Sequence, residues 1–154
     1  MAVVTLASFR PEPGRNEEHM ALHMEATERL HGMGIAAAPL QAMAGGDIGT
    51  LTMTVNYADN AEWAATAKKL QSDDGWQEFY RRAMGTGAAT QVESSVFSDV
   101  DPNFEAGERK LGVVLAAQWS ARPGRLMDFM AKVTESFPHI ERLGGRPRAM
   151  QSLV

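Results

Sequence analysis

The sequence predicts an α+β fold in which strands and helices follow the order βαββαβ, with one further βαβ segment behind them. Three observations predict it. Strand-like and helix-like segments alternate along the 154 residues, two strand segments switch regularly between apolar and polar residues, and the first 44 residues recur near the end of the chain. Hydrophobic residues make up 44% and charged residues 22%, a balance typical of globular proteins.

The first predicted unit is a strand, a helix and a second strand. Residues 2–9 are β-prone and largely apolar on both alternating faces, which suits a strand covered on both sides. Pro13 and Gly14 then break the chain, and a helical pattern runs from residue 15 to residue 31. Residues 35–43 form the second predicted strand, and the proline inside it favours an edge position or a bulge.

The second predicted unit begins with the clearest strand of the chain. Residues 50–57 alternate strictly between apolar and threonine or asparagine side chains. Asp59 and Glu62 then have the spacing of a capping box, which starts a helix that residues 72–75 interrupt. Residues 90–97 alternate again, so the order of elements is the ferredoxin-like arrangement.

The third predicted unit copies the first. With a shift of 110 and no gaps, residues 1–44 fall on residues 111–154, and 11 of the 44 pairs are identical, including Pro-Gly-Arg at both helix starts. We therefore expect a ferredoxin-like domain at 1–98, a polar linker at 99–110 and a homologous βαβ half-repeat after it. In this interpretation the second ferredoxin-like copy stops halfway.

The half-repeat should contain a strand at 111–119, a helix at 124–136 that Pro138 ends or kinks, and a last strand near 146–154. Residues 113–117 are apolar at every position, so other parts of the protein should cover both faces of this strand. The third unit could extend or close the sheet of its own chain. Alternatively, two third units from different chains could combine about a two-fold axis. We expect a homodimer in either case.

Composition excludes several classes of protein. The net charge of −4 argues against a nucleic-acid partner, which normally meets a basic face. The chain has no cysteine, so disulfides and thiolate sites are excluded. No apolar run approaches the ~20 residues that cross a membrane, and no signal peptide is evident. We therefore expect a cytoplasmic protein without a membrane partner.

Three stretches carry a resemblance to a known family. They are the strand at 3–9 followed by Pro-Gly-Arg at 13–15, the hairpin strand at 49–53, and the run of polar and aromatic residues at 60–79. On these residues the sequence resembles the dimeric α+β barrel superfamily, and most of all its NIPSNAP-like and antibiotic-biosynthesis-monooxygenase-like members. The resemblance implies a ferredoxin-like domain assembled as a dimeric α+β barrel.

The same resemblance implies a range of functions. Members of the superfamily include oxygenases, isomerases, haem enzymes and non-catalytic ligand sensors, so the fold alone decides little. Haem-degrading members use an Asn, a Trp and a His in defined positions. Residues 63–84 of this chain contain no His, so we do not expect haem degradation.

The first predicted helix carries the candidate catalytic residues. At 100° per residue, one side of it holds four polar residues and two methionines, while glutamates lie opposite. These side chains are Asn16, His19, Met20, His23, Met24 and Thr27. In the half-repeat, the positions of the four polar residues are occupied by the apolar residues Leu126, Phe129, Val133 and Phe137. A polar row facing the sheet predicts a ligand-filled cavity with His23 or His19 as general base. Alternatively, the histidines bond to nearby backbone or lie at the helix edge.

His19 and His23 also have the i, i+4 spacing at which two imidazoles can share a metal ion. No third ligand accompanies them in a recognised pattern, so we expect no metal site. The aromatic residues Trp63, Trp76 and Tyr80 could cover a pocket for a flat apolar or aromatic ligand. Aromatic residues at helical spacing are also typical of an ordinary core, and the sequence leaves both interpretations open.

Two functional hypotheses follow from these residues. The first is a small-molecule enzyme of the cofactor-independent oxygenase or isomerase type, with a cavity beside the first helix and His23 or His19 as base. The second is a non-catalytic ligand-binding or structural dimer whose histidines are satisfied by the fold. The expected ligand contacts are Asn16, Met20, Met24, Thr27, Trp63, Trp76 and Tyr80, and no cofactor is expected.

Overall fold

In the computed structural model, which describes residues 1–45, 47–101 and 112–153, the chain forms two compact units. The first unit comprises the described residues up to 101 together with 151–153, and the second comprises residues 112–150. The strands are β1 Val3–Pro11, β2 Ala37–Gln41, β3 Leu51–Tyr57, β4 Ala89–Asp99 and β5 Met150–Ser152. The helices are α1 Asn16–Gly32, α2 Asn60–Ser72, α3 Asp74–Gly85, α4 Leu126–Glu135 and α5 Phe137–Arg142.

The sheet has the strand order β2-β3-β1-β4-β5. β1 is central and pairs antiparallel with both β3 and β4, so that Leu6 lies opposite Thr54 on one side and Ser95 on the other. β3 pairs antiparallel with β2. The first four strands therefore have the predicted ferredoxin-like order, and the α+β class is confirmed.

Side-chain caps fix where α2 and α3 begin. Asp59 Oδ1 accepts a hydrogen bond from the Glu62 amide at 2.8 Å, and Glu62 Oε2 accepts one from the Ala58 amide. This confirms Asp59 as the predicted N-cap, while Glu62 reaches back to the amide of Ala58 and not to that of the N-cap as a capping box requires. Asp73 Oδ1 accepts from the Trp76 amide at 2.7 Å and starts α3 at the predicted interruption.

The core of the first unit lies between α1 and one face of the sheet. Strict alternation along β3 sends its apolar side chains to this face, as predicted. The buried cluster consists of Val3, Leu30, Ile35, Ala37, Met53, Val55 and Tyr57. Trp63 and Trp76 pack against it from the neighbouring helices. Because α1 lies against this cluster, whatever α1 presents to the sheet is withdrawn from water.

Charged contacts hold α1 against α3. Glu25 pairs with Arg29 on its own helix and with Arg82 of α3, and both guanidinium groups lie over the Phe79 ring at 5.1 and 5.4 Å. At the start of α1, Arg15 Nη1 donates to the Thr86 carbonyl at 2.7 Å. These contacts link the outer side of α1 to α3, while the buried row of the helix faces the sheet.

The second unit reproduces backbone details of the first. Gly14 and Gly124 precede their helices with φ of 79° and 74°, and Gly34 and Gly144 follow them with φ of 75° and 81°. Glycine suits all four positions because other residues are strained at positive φ. α4 ends at Glu135 and α5 begins at residue 137, as expected from Pro138.

The predicted strand at 111–119 is wrong over residues 112–119, which are its described part. These residues are not in a strand, and Val113 and Leu115 are 98% and 96% exposed instead of covered. A strand needs a neighbour that receives its backbone hydrogen bonds, and none of the described strands pairs with this segment. The last strand is also shorter than predicted.

Residues 102–110 of the predicted linker lie outside the described residues. The start of that linker, Asp99, is still part of β4. Over the part of the chain that the structure describes, no helix combines the length and the apolar character needed to cross a membrane.

Candidate functional site

α1 presents its histidines to the sheet. The buried residues of this helix are His19, His23, Thr27 and Leu30, at steps of four, four and three residues. His19 is 7% exposed and His23 is 4% exposed, so the predicted burial of the histidines is confirmed. Asn16 is exposed at the first residue of the helix, and the prediction that it shares the buried row is wrong.

The two imidazoles and one phenyl ring pack together between α1 and β1. The ring centroids of His19 and His23 are 5.6 Å apart, with 60° between the ring planes. The ring of Phe9 lies 5.7 Å from His19 and 6.2 Å from His23. The three rings therefore occupy the space in which the sequence predicts a cavity.

Each imidazole has a buried nitrogen that forms no hydrogen bond. Nε2 of His19 and Nε2 of His23 are both withdrawn from water and have no partner among the described residues. A buried polar atom without a partner costs about 1–3 kcal/mol of folding free energy. Two such atoms on adjacent turns are a concentrated cost, and buried polar atoms of this kind are uncommon in folded proteins.

Burial also sets the protonation of the pair. Desolvation lowers the pKa of His19 below its ordinary value. Desolvation also lowers the pKa of His23. A hydrogen bond with the backbone of Thr52 raises this pKa and so opposes the change, whereas the neighbouring His19 lowers it further. Both imidazoles are therefore neutral near pH 7, the form in which imidazole accepts a proton or binds a metal ion.

Thr27 anchors the helix one turn beyond His23. Its hydroxyl donates to the His23 carbonyl at 2.9 Å and lies 3.8 Å from Sδ of Met53 on β3. The hydroxyl is thus satisfied by the fold itself. Thr27 lies near the histidines as predicted, but it contributes no free polar atom to the site.

The other predicted ligand contacts do not gather around the histidines. Met24 is 45% exposed and Tyr80 is 47% exposed, so neither lines a buried site, and Met20 is half-buried. Met24 follows His23 by 100° on the helix and so falls outside the buried arc. Trp63 and Trp76 belong to the edge of the apolar core, which favours the alternative that these aromatic residues are core residues.

Phe9 is a site residue that the sequence patterns did not single out. The signal was present in the repeat, where Phe9 corresponds to Trp119 and His19 to Phe129. In the second unit, Trp119 and Phe129 make the same kind of ring contact, with centroids 6.0 Å apart. The repeat therefore keeps an aromatic contact at this place and replaces imidazole by phenyl.

Other features of the described residues do not add to this site. A shallow open depression lies on β4 and is lined by Gln91, Val92, Glu93 and Ser94. Within the described ranges, no group of three or more His, Cys, Asp or Glu side chains could hold a metal ion.

Comparisons with known proteins identify the fold. No protein-family model and no curated protein matches the chain. Among solved structures, a NIPSNAP family protein from Agrobacterium tumefaciens matches with a TM-score of 0.54 and 19% identity, over 66% of this chain and 95% of that one. The chain has a NIPSNAP-like fold.

Two further structures extend the NIPSNAP-like assignment. A NIPSNAP domain protein from Burkholderia xenovorans matches with a TM-score of 0.50 and 17% identity, over 61% of this chain and 90% of that one. A variant of SnoaB, a cofactor-independent oxygenase from Streptomyces nogalater, matches with a TM-score of 0.50 and 11% identity, over 68% of this chain and 98% of that one. At these identities the likeness concerns the fold alone.

Proposed function

We propose that this NIPSNAP-like chain is a small-molecule enzyme of the cofactor-independent oxygenase or isomerase type, with His23 as general base. The observation that carries the proposal is the pair of buried imidazoles whose Nε2 atoms have no partner. The likeness of fold to SnoaB, a cofactor-independent oxygenase, supports the oxygenase variant by analogy of fold. His19 is the second candidate base on the same helix face.

The proposed chemistry begins with a proton transfer. Neutral His23 accepts a proton at Nε2 from a C–H or O–H acid, and the substrate becomes an anion. In an isomerase, the same proton returns to another atom of the substrate. In an oxygenase, the anion gives one electron to dioxygen, and the resulting substrate radical and superoxide combine to form a C–O bond. The peroxide anion so formed takes back the proton held by His23, so the substrate is oxidised and dioxygen is reduced. Both variants share the first step.

The second candidate function is a non-catalytic ligand-binding or structural dimer. A specific observation favours it: the Phe9 ring packs against both imidazoles, which leaves the site closed. In this function the histidines fill space in the core. The enzyme requires Phe9 to move aside when a substrate enters, whereas the structural function requires no movement.

The proposed assembly is a homodimer of the dimeric α+β barrel type. Its support is the exposed apolar segment around Val113 and Leu115, because large exposed apolar groups commonly mark interaction sites. Light scattering after size-exclusion chromatography should give a mass near twice 16.8 kDa. A stable monomer at micromolar concentration would refute the dimer. The cytoplasmic location expected from the sequence stays a prediction.

The first catalytic step can be tested without knowing the product. A panel of phenols and 1,3-dicarbonyl compounds is incubated with the protein in D₂O, and NMR follows the exchange of carbon-bound hydrogen. We expect the wild-type chain to catalyse this exchange, and we expect His23→Val to lower the exchange rate by about 100-fold or more. Valine is the matched substitution because Val133 occupies the same position in the half-repeat. His139→Ala, an exposed histidine of α5, is the control and should keep the activity. Equal exchange in the wild type and His23→Val would exclude His23 as the base.

A further inference from the structure

The two unpartnered nitrogens of α1 also have the arrangement of a pair of metal ligands. His19 and His23 are one turn apart on the same buried face, and their ring centroids are 5.6 Å apart. Histidines at this spacing can direct two nitrogen lone pairs at one ion. Both side chains are more than nine-tenths buried, and nothing described in the fold bonds to either Nε2.

The surroundings decide which ion fits. Within the described ranges, no third His, Cys, Asp or Glu joins the pair, so a zinc ion would lack its usual four ligands. No carboxylate balances a double charge either. A singly charged ion with a filled d shell, such as copper(I), accepts two neutral imidazoles as its only ligands. Copper(I) also tolerates apolar surroundings, of the kind that the Phe9 ring provides against both imidazoles.

We propose that His19 and His23 bind one monovalent copper-class ion, copper(I) or its analogue silver(I), through their Nε2 atoms. Binding satisfies both nitrogens at once and removes the cost of burying them without partners. The proposal does not rest on the catalytic one, but both use Nε2 of His23. A bound ion prevents that nitrogen from accepting a proton, so the catalytic test is made on the metal-free chain. Failure of metal uptake leaves His23 available as a base, and failure of hydrogen exchange leaves the metal site untouched.

The half-repeat supplies a matched variant that should lack the site. At the positions of His19 and His23 it carries Phe129 and Val133, and Phe129 keeps the aromatic contact with Trp119. The double substitution His19→Phe and His23→Val therefore introduces residues that the chain itself uses at the same helix positions. It removes both nitrogen ligands and preserves an apolar helix face.

The test is an anaerobic competition for copper(I) with the coloured chelator bathocuproine disulfonate. The full wild-type chain should withdraw one equivalent of copper(I) from the chelator, and the double variant should withdraw none. A control variant without the exposed histidines, His31→Ala with His139→Ala, should behave as the wild type does. Absence of uptake by the wild type, or equal uptake by the double variant, would overturn the proposal.

A spectroscopic measurement on the wild type keeps the proposal testable if the double variant fails to fold. Long-range ¹H–¹⁵N NMR spectra follow the ring nitrogens during titration with silver(I), which does not change oxidation state. The Nε2 signals of His19 and His23 should move together and saturate at one equivalent. Movement confined to His31 or His139 would contradict the assignment.

Discussion

Lowering the pH from 7.5 to 5.5 should destabilise the first unit through His19 and His23. Burial lowers the pKa of both imidazoles in the folded chain. In the unfolded chain each imidazole binds a proton near its ordinary pKa of 6.5. The folded state therefore binds fewer protons than the unfolded state below that pH. The stability from this pair is complete above pH 6.5 and is lost as pH falls towards the folded pKa values.

The size of the effect follows from the width of the pH window. Each unit of pH below 6.5 favours unfolding by about 1.4 kcal/mol for every histidine that is still neutral in the folded chain. At pH 5.5 the two histidines together contribute a loss of at most about 2.8 kcal/mol. That is a large share of the roughly 5–15 kcal/mol that stabilises an ordinary domain. The carboxylate of Glu25, whose pKa its hydrogen bond to Arg82 lowers most, titrates in a lower window and does not interfere.

Urea unfolding at the two pH values measures the effect. A Trp119→Phe background leaves Trp63 and Trp76 as fluorescent reporters, and both belong to the first unit. The difference in unfolding free energy between pH 7.5 and 5.5 should shrink by up to about 2.8 kcal/mol when His19→Phe and His23→Val are introduced. An identical pH dependence in both proteins would show that the histidines are not buried in the neutral form.

Three further outcomes test the fold. Asp59→Ala removes the cap of α2 and should lower stability by about 1 kcal/mol in urea unfolding, whereas Asp74→Ala should change it less; equal effects would contradict the capping argument. Phe79→Ala removes a buried ring between two guanidinium groups and should cost about 3–5 kcal/mol, and a loss below 1 kcal/mol would be inconsistent with its burial. Leu115→Lys should weaken dimerisation in light scattering, because the side chain is exposed within one chain, and an unchanged dimer mass would contradict the proposed interface.

The sequence predicted the first unit well because local signals and tertiary packing agree there. The alternation at Leu51, Met53, Val55 and Tyr57 has a single consistent solution, since a shift by one residue would move all four apolar side chains away from the core cluster. The N-cap at Asp59 is equally local, and its prediction is confirmed. The segment around Leu115 failed because its strand propensity is real but its partner strand is not determined by neighbouring residues.

The site was only partly predictable for a similar reason. Helical periodicity placed His19 and His23 on the buried face, but it could not fix the width of that face. Burial of His19, His23 and Leu30 accounts for the rotation of α1, which leaves Met24 in solvent. The contact with Phe9 depends on pairing between strands far apart in sequence, and the repeat was the only local signal for it.

Native mass spectrometry of the protein recovered from cells tests the central claim most directly, namely that the unpartnered imidazoles of His19 and His23 form a binding site. The account predicts that the wild-type chain retains a ligand, either a small molecule or a copper ion, which the mass difference distinguishes. It also predicts that the chain with His19→Phe and His23→Val is recovered without that ligand. A wild-type chain free of any ligand, or the same ligand retained by both proteins, would contradict the account.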